Sequence, residues 1–467
     1  MFDGCDEADL LAVMGDAQRA ERVATARRVL AAGRLCQRRM AAAGAQQREQ
    51  WCVDNWEAVA AEVGAQLGIT RGRASALMNY GVELLERLPR LGAVFAAGLV
   101  DFAVITAVVF RCGLIVDPAA LAGIDAALAR RVGAFNALSR RRVAEIVDAW
   151  VSHFDPEARR NARHAESDRH IGFGEPRDGM VQFWGALRAP DAALLEARLT
   201  RLATGVCRAD SRTLEQRRAD ALAALADGQT QLGCDCPAPH DTPTAAPAPA
   251  GAISITVLAS AETLSGASED PGHLPGFGAI PAAQVRAMAD RAQLRRLPHP
   301  TDLHAEARYQ PSAALSAFLT ARDVCCRFPG CDRPAQMCQI DHTVPWAAGG
   351  TTHPGNCKLL CVLHHLLKTF WNGPGGWQDT QHPDGTITWT SPTGHTYTTI
   401  PLGALLFPQL STPTPTLTPA PTPPPPHPAR THHMPTRKHT RTHQRNARIR
   451  QERALNQRRW ATHPPPF

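Results

Sequence analysis

The sequence predicts three parts: a mainly α-helical N-terminal domain, a small α+β domain stiffened by metal, and a disordered tail that is Pro-rich and then basic. Three observations carry this. Ala-, Leu- and Arg-rich stretches with helical periodicity fill residues from about 8 to 230. Six of the thirteen cysteines, with four histidines, fall between Cys325 and Phe370. From Ser411 the chain reads TPTPTLTPAPTPPPP, a polyproline spacer that cannot build a core.

The 467 residues suffice for two or three domains with cores of their own. The net charge of +7 is unevenly spread. Ten Lys/Arg against one Glu between Arg430 and Trp460 give +9, so the remainder carries about −2. A body so close to neutrality does not announce a nucleic-acid surface, whereas the tail does. The opening MFDGCDEADLLAV is acidic where a secretory signal would be basic. The apolar run Ala93–Val116 carries Asp101 and Arg111, so it reads as a buried helix capped near Asp101 and not as a membrane span. Cysteines clustered as metal ligands suit a reducing compartment, and the expected location is the cytoplasm.

In order, the expected boundaries are a helical domain over 1–232, a Pro/Ala-rich linker over 233–251, a continuation over 252–310, the metal-bearing domain over 311–408, and the tail over 409–467. Segments such as ERVATARRVLAAGRLCQRRMAAAG and LEQRRADALAALADG supply the helices. Val63–Met78 has the look of a helix-turn-helix, with Gly68 in the turn and Arg71 and Arg73 as groove-facing candidates; an ordinary helical hairpin is the competing reading. RHIGFGEPRDGMVQFWGAL alternates as a β-hairpin turning near Pro176-Arg177-Asp178-Gly179. Cys234-x-Cys236-x3-His240 lacks a second ligand pair nearby, so a solvated loop is the better expectation there. AISITVLASAETL is strand-like and PAAQVRAMADRAQL helical.

Within the Cys/His-rich stretch two chemistries interleave. Cys326-x4-Cys331 and Cys361-x2-His364 are two close ligand pairs joined by a long loop, as a closed tetrahedral zinc site requires. Cys325 is the alternative to Cys326. Cys361 and His364 stand at i and i+3 in helical CVLHHLLKTF, hence on one face. His365 lies about 100° further round and points elsewhere. Asp341-His342 in QIDHTVPW, then Asn356, then His365 form a second set. A phosphodiester needs an activated water, for which neutral imidazole is well poised, and a cation where negative charge builds up.

This His–Asn–His order resembles the HNH endonucleases, whose fold is the ββα-metal unit. The resemblance implies His342 as general base, Asn356 as the residue fixing loop and base, and Asp341 with His365 as ligands of one catalytic divalent cation (Mg²⁺, Mn²⁺, Ni²⁺ or Zn²⁺). It also implies a structural Zn²⁺ on Cys326, Cys331, Cys361 and His364, although many relatives carry a cysteine where His364 stands. The implied activity is DNA hydrolysis leaving 5′-phosphate and 3′-hydroxyl ends. A non-catalytic zinc-stabilised DNA-binding protein and an RNA-directed nuclease or toxin remain alternatives. LERLPRLGAVFAAGLVDFAVI, DGMVQFWGALRAPDAALLEARL and PGFGAIPAAQVRAMA further resemble the N-terminal domain of unknown function in the 13E12 repeat family.

Beyond the metal segment, GGWQDTQHPDGTITWTSPTGHTYTTI reads as a hairpin packing through Trp371, Trp377 and Trp389. In the tail, Arg437, Lys438, Arg441, Arg445, Arg448 and Arg450 are the expected phosphate contacts, acting without sequence preference through counterion release.

Overall fold

The computed structural model describes residues 2–42, 44–159, 169–207, 209–236, 256–275, 277–290, 292–373, 375–414 and 433–462. They form two units. One joins Met1–Asn161 to Arg295–Phe467, and the other is Ala162–Leu294. The helical domain expected over 1–232 is therefore divided, because its last helices pack among themselves and with residues up to 294.

The first unit begins with seven helices: α1 (Glu7–Met40), α2 (Asn55–Leu67), α3 (Arg71–Glu86), α4 (Pro89–Ala96), α5 (Phe102–Cys112), α6 (Pro118–Arg131) and α7 (Arg140–Phe154). Side-chain caps start most of them. Asp6 makes a capping box with Asp9, while Asp54, Asp101, Asp117 and Ser139 each accept an orphan N–H of the first turn. Asp101 thus begins the apolar helix α5, whose Val104, Ile105, Val108 and Val109 are buried in the helical core. α1 and α3 cross with Gly33 against Gly81, and a Cβ on either glycine would strike the other helix's backbone.

The second unit holds the hairpin β1 (His170–Phe173) and β2 (Phe183–Ala186), then α8 (Ala189–Thr204), α9 (Leu214–Ala226) and α10 (Ala261–Ser265). The short hairpin β3 (Gly272–Leu274) and β4 (Gly278–Ile280) and helix α11 (Ala282–Ala289) follow. The turn expected at 176–179 is present: Arg177 and Met180 pair, with Asp178 and Gly179 at φ 51° and 74°.

The chain returns to the first unit through α12 (Ala313–Asp323). Then come β5 (Cys338–His342), β6 (Cys357–Cys361) and α13 (Val362–Phe370), with β5 and β6 antiparallel. The expected hairpin beyond is a three-stranded sheet of β7 (Gln378–Gln381), β8 (Ile387–Thr390) and β9 (Thr396–Thr399), because SPTG supplies a second turn. Trp377 and Trp389 pack on Phe328 as expected. Trp371 joins the same core, donating its Nε1–H to the Val53 carbonyl (3.0 Å) and packing on Trp51.

α2 is shared by two cores, which explains why most of it is buried. Val59, Ala60 and Val63 enter the helical core, while Ala61 and Ala65 enter the core around Phe328 and Trp389. α2 and α3 pack as a helical pair around the Gly68 turn, with Arg73 exposed. Arg71 is ion-paired with Glu57 (2.6 Å), and Ile69 in the turn lies under Gly330.

After α14 (Leu402–Leu406), residues 415–432 lie outside the described residues, as do 463–467. The expectation of disorder for the Pro-rich stretch falls there. The basic stretch between them is helical, α15 (Arg441–Thr462), and docks on the N-terminal helices. Arg441, Arg445, Ile449 and Arg453, four apart, make its inner stripe. Arg441 pairs with Asp54 and Glu57, Arg445 with Glu83, and Arg453 with Asp155 and Glu157, while Ile449 packs against the helical core. The physical reason is that Asp54, Glu57, Glu83 and Asp155 are buried carboxylates, and the tail supplies them with cations.

Candidate metal and catalytic centre

Cys326, Cys331, Cys361 and His364 converge, their ligand atoms all within 4.8 Å of one another. His364 Nδ1 is 3.5 Å from Cys326 Sγ and 3.3 Å from Cys361 Sγ. A tetrahedron with arms of about 2.1–2.3 Å has edges of about 3.4–3.8 Å, so the donors fit a metal ion and their chemistry suits zinc. Cys325 stays outside the group, paired by its backbone to Pro334. Val324, at φ 60°, turns the chain from α12 into the Cys326 loop. Burial, with help from the neighbouring thiols, raises the Cys326 thiol well above its usual range. Hydrogen bonds from Cys326 and Cys331 lower that of Cys361. The Phe328 ring stacks on His364 at 4.0 Å and joins the group to the Trp377/Trp389 core.

Beneath it lies a buried ionic knot. Asp323, with no exposed surface, accepts from Arg322 Nε (2.8 Å), Arg327 Nη1 (2.9 Å) and the Leu359 N–H (2.8 Å). Arg322 reaches the Pro354 and Cys357 carbonyls, and Arg327 those of Gly385 and Thr399. The two arginines hold the Asp323 carboxyl below its usual range even though burial opposes them.

The second residue set occupies the end of β5 and the face of α13. His342 is the last paired residue of β5, opposite Cys357. Its ring stacks on Tyr309 (5.3 Å between centroids) and meets Trp346 edge-on. Nε2 is 2.8 Å from Thr352 Oγ1, and that hydroxyl donates to the Tyr309 carbonyl at 3.3 Å. With its one proton on that carbonyl, Thr352 would accept from Nε2–H, which would leave the lone pair of His342 on Nδ1. Burial lowers the His342 pKa and favours the neutral ring.

Asp341 precedes His342 in β5, paired in register with Lys358. Its Oδ2 lies 2.7 Å from both Lys358 Nζ and Lys368 Nζ, and its Oδ1 is 3.6 Å from His365 Nε2. His365 Nδ1 is 2.7 Å from Gln339 Oε1. With Nδ1 donating there, Nε2 presents a lone pair toward the Asp341 carboxylate, and two acceptors face each other across a gap that suits a cation. Burial raises the Asp341 pKa, but the charges of Lys358 and Lys368 outweigh it and the carboxyl stays ionised.

Asn356 ties the intervening loop. Its Oδ1 accepts from the Val344 N–H (2.8 Å), while its Nδ2 donates to the Val344 (3.1 Å) and Thr351 (2.8 Å) carbonyls. Gly350 is required beside it, since a Cβ there would overlap the Val344 carbonyl oxygen.

Three residues of this centre were missed by sequence reasoning: Lys358, Lys368 and Asp379. Lys358 is fully buried between Asp341 and Asp379 (Nζ–Oδ2 2.6 Å). Lys368 also donates to the His342 carbonyl (2.7 Å). Of the tail residues, Arg437 pairs with Asp54 (2.9 Å), and Arg441 and Arg445 are also engaged with carboxylates. Lys438, Arg448 and Arg450 remain exposed, although Arg448 approaches Glu452 (3.8 Å). Among the described residues no helix is long and apolar enough to cross a membrane.

An antiparallel strand pair followed by a helix, with Asp341-His342, Asn356 and His365 at its centre and a Cys/His group at its edge, defines a ββα-metal domain of the HNH class. The HNH endonuclease family model matches residues 324–369, and the model described as domain of unknown function (DUF222) matches residues 16–323. The chain belongs to the DUF222 family and carries a C-terminal HNH endonuclease domain. It is 42% identical to the uncharacterized protein Rv3776 of Mycobacterium tuberculosis, over 99% of this chain and 92% of the relative. The uncharacterized protein Rv2100 of the same organism is 40% identical over 99% of this chain and 90% of its own length. The uncharacterized protein in est 3'region, also from M. tuberculosis, is 38% identical over 67% of this chain and 96% of its own. No solved structure matches the chain significantly. The HNH domain supports a nuclease or nucleic-acid-related function in general.

Proposed function

We propose that the chain is a metal-dependent endonuclease that hydrolyses DNA phosphodiester bonds with His342 as general base. The observation that carries this reading is the contact of His342 Nε2 with Thr352 Oγ1 (2.8 Å), a hydroxyl that also reaches the Tyr309 carbonyl (3.3 Å). With Nε2–H directed to Thr352, Nδ1 keeps its lone pair on a ring whose pKa burial lowers. Nδ1 takes the proton of the attacking water. Asn356, through Val344 and Thr351, holds the loop that faces the base.

Asp341 Oδ1 and His365 Nε2 would hold the catalytic divalent cation (Mg²⁺, Mn²⁺, Ni²⁺ or Zn²⁺), which when bound places positive charge on the phosphate oxygens. Lys358 and Lys368 occupy Asp341 Oδ2 and so turn Oδ1 toward His365. Lys368 also fixes the backbone of the base through the His342 carbonyl. The four Cys/His donors would hold a structural zinc that fixes the start of α13, and cysteines none of which is in a disulfide suit the reducing cytoplasm. For the substrate backbone, the exposed Lys438, Arg448 and Arg450 are the available tail cations, fewer than the six expected from sequence.

The test is nicking of supercoiled plasmid, with a labelled RNA of the same sequence in parallel, across the four cations. His342→Ala should keep its fold and slow cleavage by about 10²-fold or more. His365→Ala should regain part of its rate at high metal concentration. Cleavage at the wild-type rate by His342→Ala would place the base elsewhere, and preferential cutting of the RNA would reassign the substrate.

A further inference from the structure

We propose that Cys207, Cys234 and Cys236 form a second thiophilic metal site, a zinc staple that closes the helical hairpin of the second unit. The reading from sequence treated Cys234 and Cys236 as a solvated loop for want of another ligand nearby. Folding supplies it. Cys207 follows α8, and the chain beyond α9 doubles back so that all three sulfurs lie within 4.8 Å of one another. His240, the other sequence candidate, lies outside the described residues.

The convergence is built by a separate set of contacts. Asp210 accepts from Arg212 Nε (3.0 Å) and Nη2 (2.7 Å) and from the Asp235 N–H (3.0 Å). Arg212 also donates to the Gly233 carbonyl at 2.6 Å, and Ser211 to Asp235 Oδ2 at 3.0 Å. This clip fixes residues 233–235 against 210–212 and thereby brings Cys234 and Cys236 over Cys207. In an extended segment, residues i and i+2 point the same way, so a Cys-x-Cys pair can offer both sulfurs to one ion.

None of the three cysteines is in a disulfide, although Cys207 Sγ and Cys234 Sγ approach to 2.8 Å. A disulfide would use two and leave the third without a reason to converge, whereas a soft divalent ion takes all three as thiolates and releases their protons. Each cysteine is part-exposed, so the fourth position is open to water or another donor.

The need for a staple is independently visible. Among its described residues, the second unit buries only a few apolar side chains, chiefly small ones such as Ala203, Ala221 and Ala224, while Phe173, Phe183 and Trp184 stay exposed. A unit with so thin a core gains most from a covalent or metal cross-link. An ion joining Cys207 to Cys234 and Cys236 closes a loop that contains all of α9, and the closure opposes unfolding of that hairpin.

The test is the zinc content of the full chain, purified reduced from zinc-replete cells and passed over a chelating resin to remove loosely held ions. Native mass spectrometry should find about two zinc ions per wild-type chain. The variant Cys207→Ser/Cys234→Ser/Cys236→Ser should keep about one, held by the Cys326 group, and Cys326→Ser should also keep about one, held by the trio. If the triple variant fails to fold, the wild-type count and Cys326→Ser still decide the matter. A wild-type chain with a single zinc that Cys326→Ser abolishes would overturn the proposal. So would a thiol count two short after denaturation under non-reducing conditions, which would mark the pair Cys207–Cys234 as a disulfide. Neither result bears on nuclease activity.

Discussion

His342 Nε2 and Thr352 Oγ1 lie 2.8 Å apart, and Thr352 spends its own proton on the Tyr309 carbonyl. A hydroxyl ten residues downstream therefore decides which imidazole nitrogen is basic. Thr352→Val keeps the shape but removes the acceptor, so either nitrogen can carry the proton. Single-turnover cleavage should fall about tenfold, the worth of about one hydrogen bond, while bound zinc and thermal unfolding change little. Thr352→Ser should restore the rate. A Val variant with wild-type cleavage would show that the tautomer is fixed by other contacts.

Asp323→Asn should destabilise the HNH domain by about 3–5 kcal/mol, because it leaves Arg322 and Arg327 charged and buried without their counter-ion. Denaturant unfolding monitored by the tryptophans around Phe328 is the measurement, since Trp377 and Trp389 report on that core directly.

Stability should rise with pH through the histidine range. Burial lowers the pKa of His353 below its usual 6.5, and the Gly355 N–H donates to its Nδ1 at 3.0 Å. His273 is lowered by burial as well. For both, the unfolded chain binds the proton more tightly. Their contribution is complete above the unfolded pKa and is lost as pH falls through the folded one. Chemical denaturation at points from about pH 5 to 8 should show this slope, and His353→Gln should flatten it.

Removing residues 433–467 should weaken the N-terminal helices rather than merely reduce affinity for polyanions. The deletion strips Asp54 and Asp155 of Arg437, Arg441 and Arg453, and a buried carboxylate without its cation is costly. The melting temperature of the truncated chain should drop, and high salt should narrow the gap from wild type. Equal melting temperatures would mean that α15 leaves the surface in solution.

Cys326→Ser should lower both zinc content and thermal stability, since a structural zinc contributes folding free energy directly. Elemental analysis of the purified variant checks the first, and a thermal melt with and without added zinc checks the second.

Much of the centre was legible because its residues cluster within the sequence. Cys326, Cys331, Cys361, His364, Asp341, His342, Asn356 and His365 fall in one short stretch, and each type has few other uses there. Lys358, Lys368 and Asp379 were not legible, since lysine and aspartate on strands and helices usually face water. A signal did exist: Lys358 interrupts the otherwise apolar CKLLC, a strand buried along its whole length, and it pairs in register with Asp341. The tail was read by its charge alone. The four-residue spacing of Arg441, Arg445, Ile449 and Arg453 was on view, but the acidic partners lie some three to four hundred residues away and only folding brings them near. Trp371 packs against the same core as Trp377 and Trp389, and what the sequence did not show is its acceptor at Val53, at the opposite end of the chain.

The docking of α15 has a consequence for the order in which the protein is made. Trp51 pairs with Thr436, and Asp54, Glu57 and Glu83 take cations from residues 437–445, so the earliest helices to leave the ribosome lack their partners for most of synthesis. The helical domain is complete only after the HNH domain has been translated. A nascent chain halted anywhere before Arg437 carries Asp54 without a cation, and leaves Glu57 and Glu83 with Arg71 and Arg87 alone.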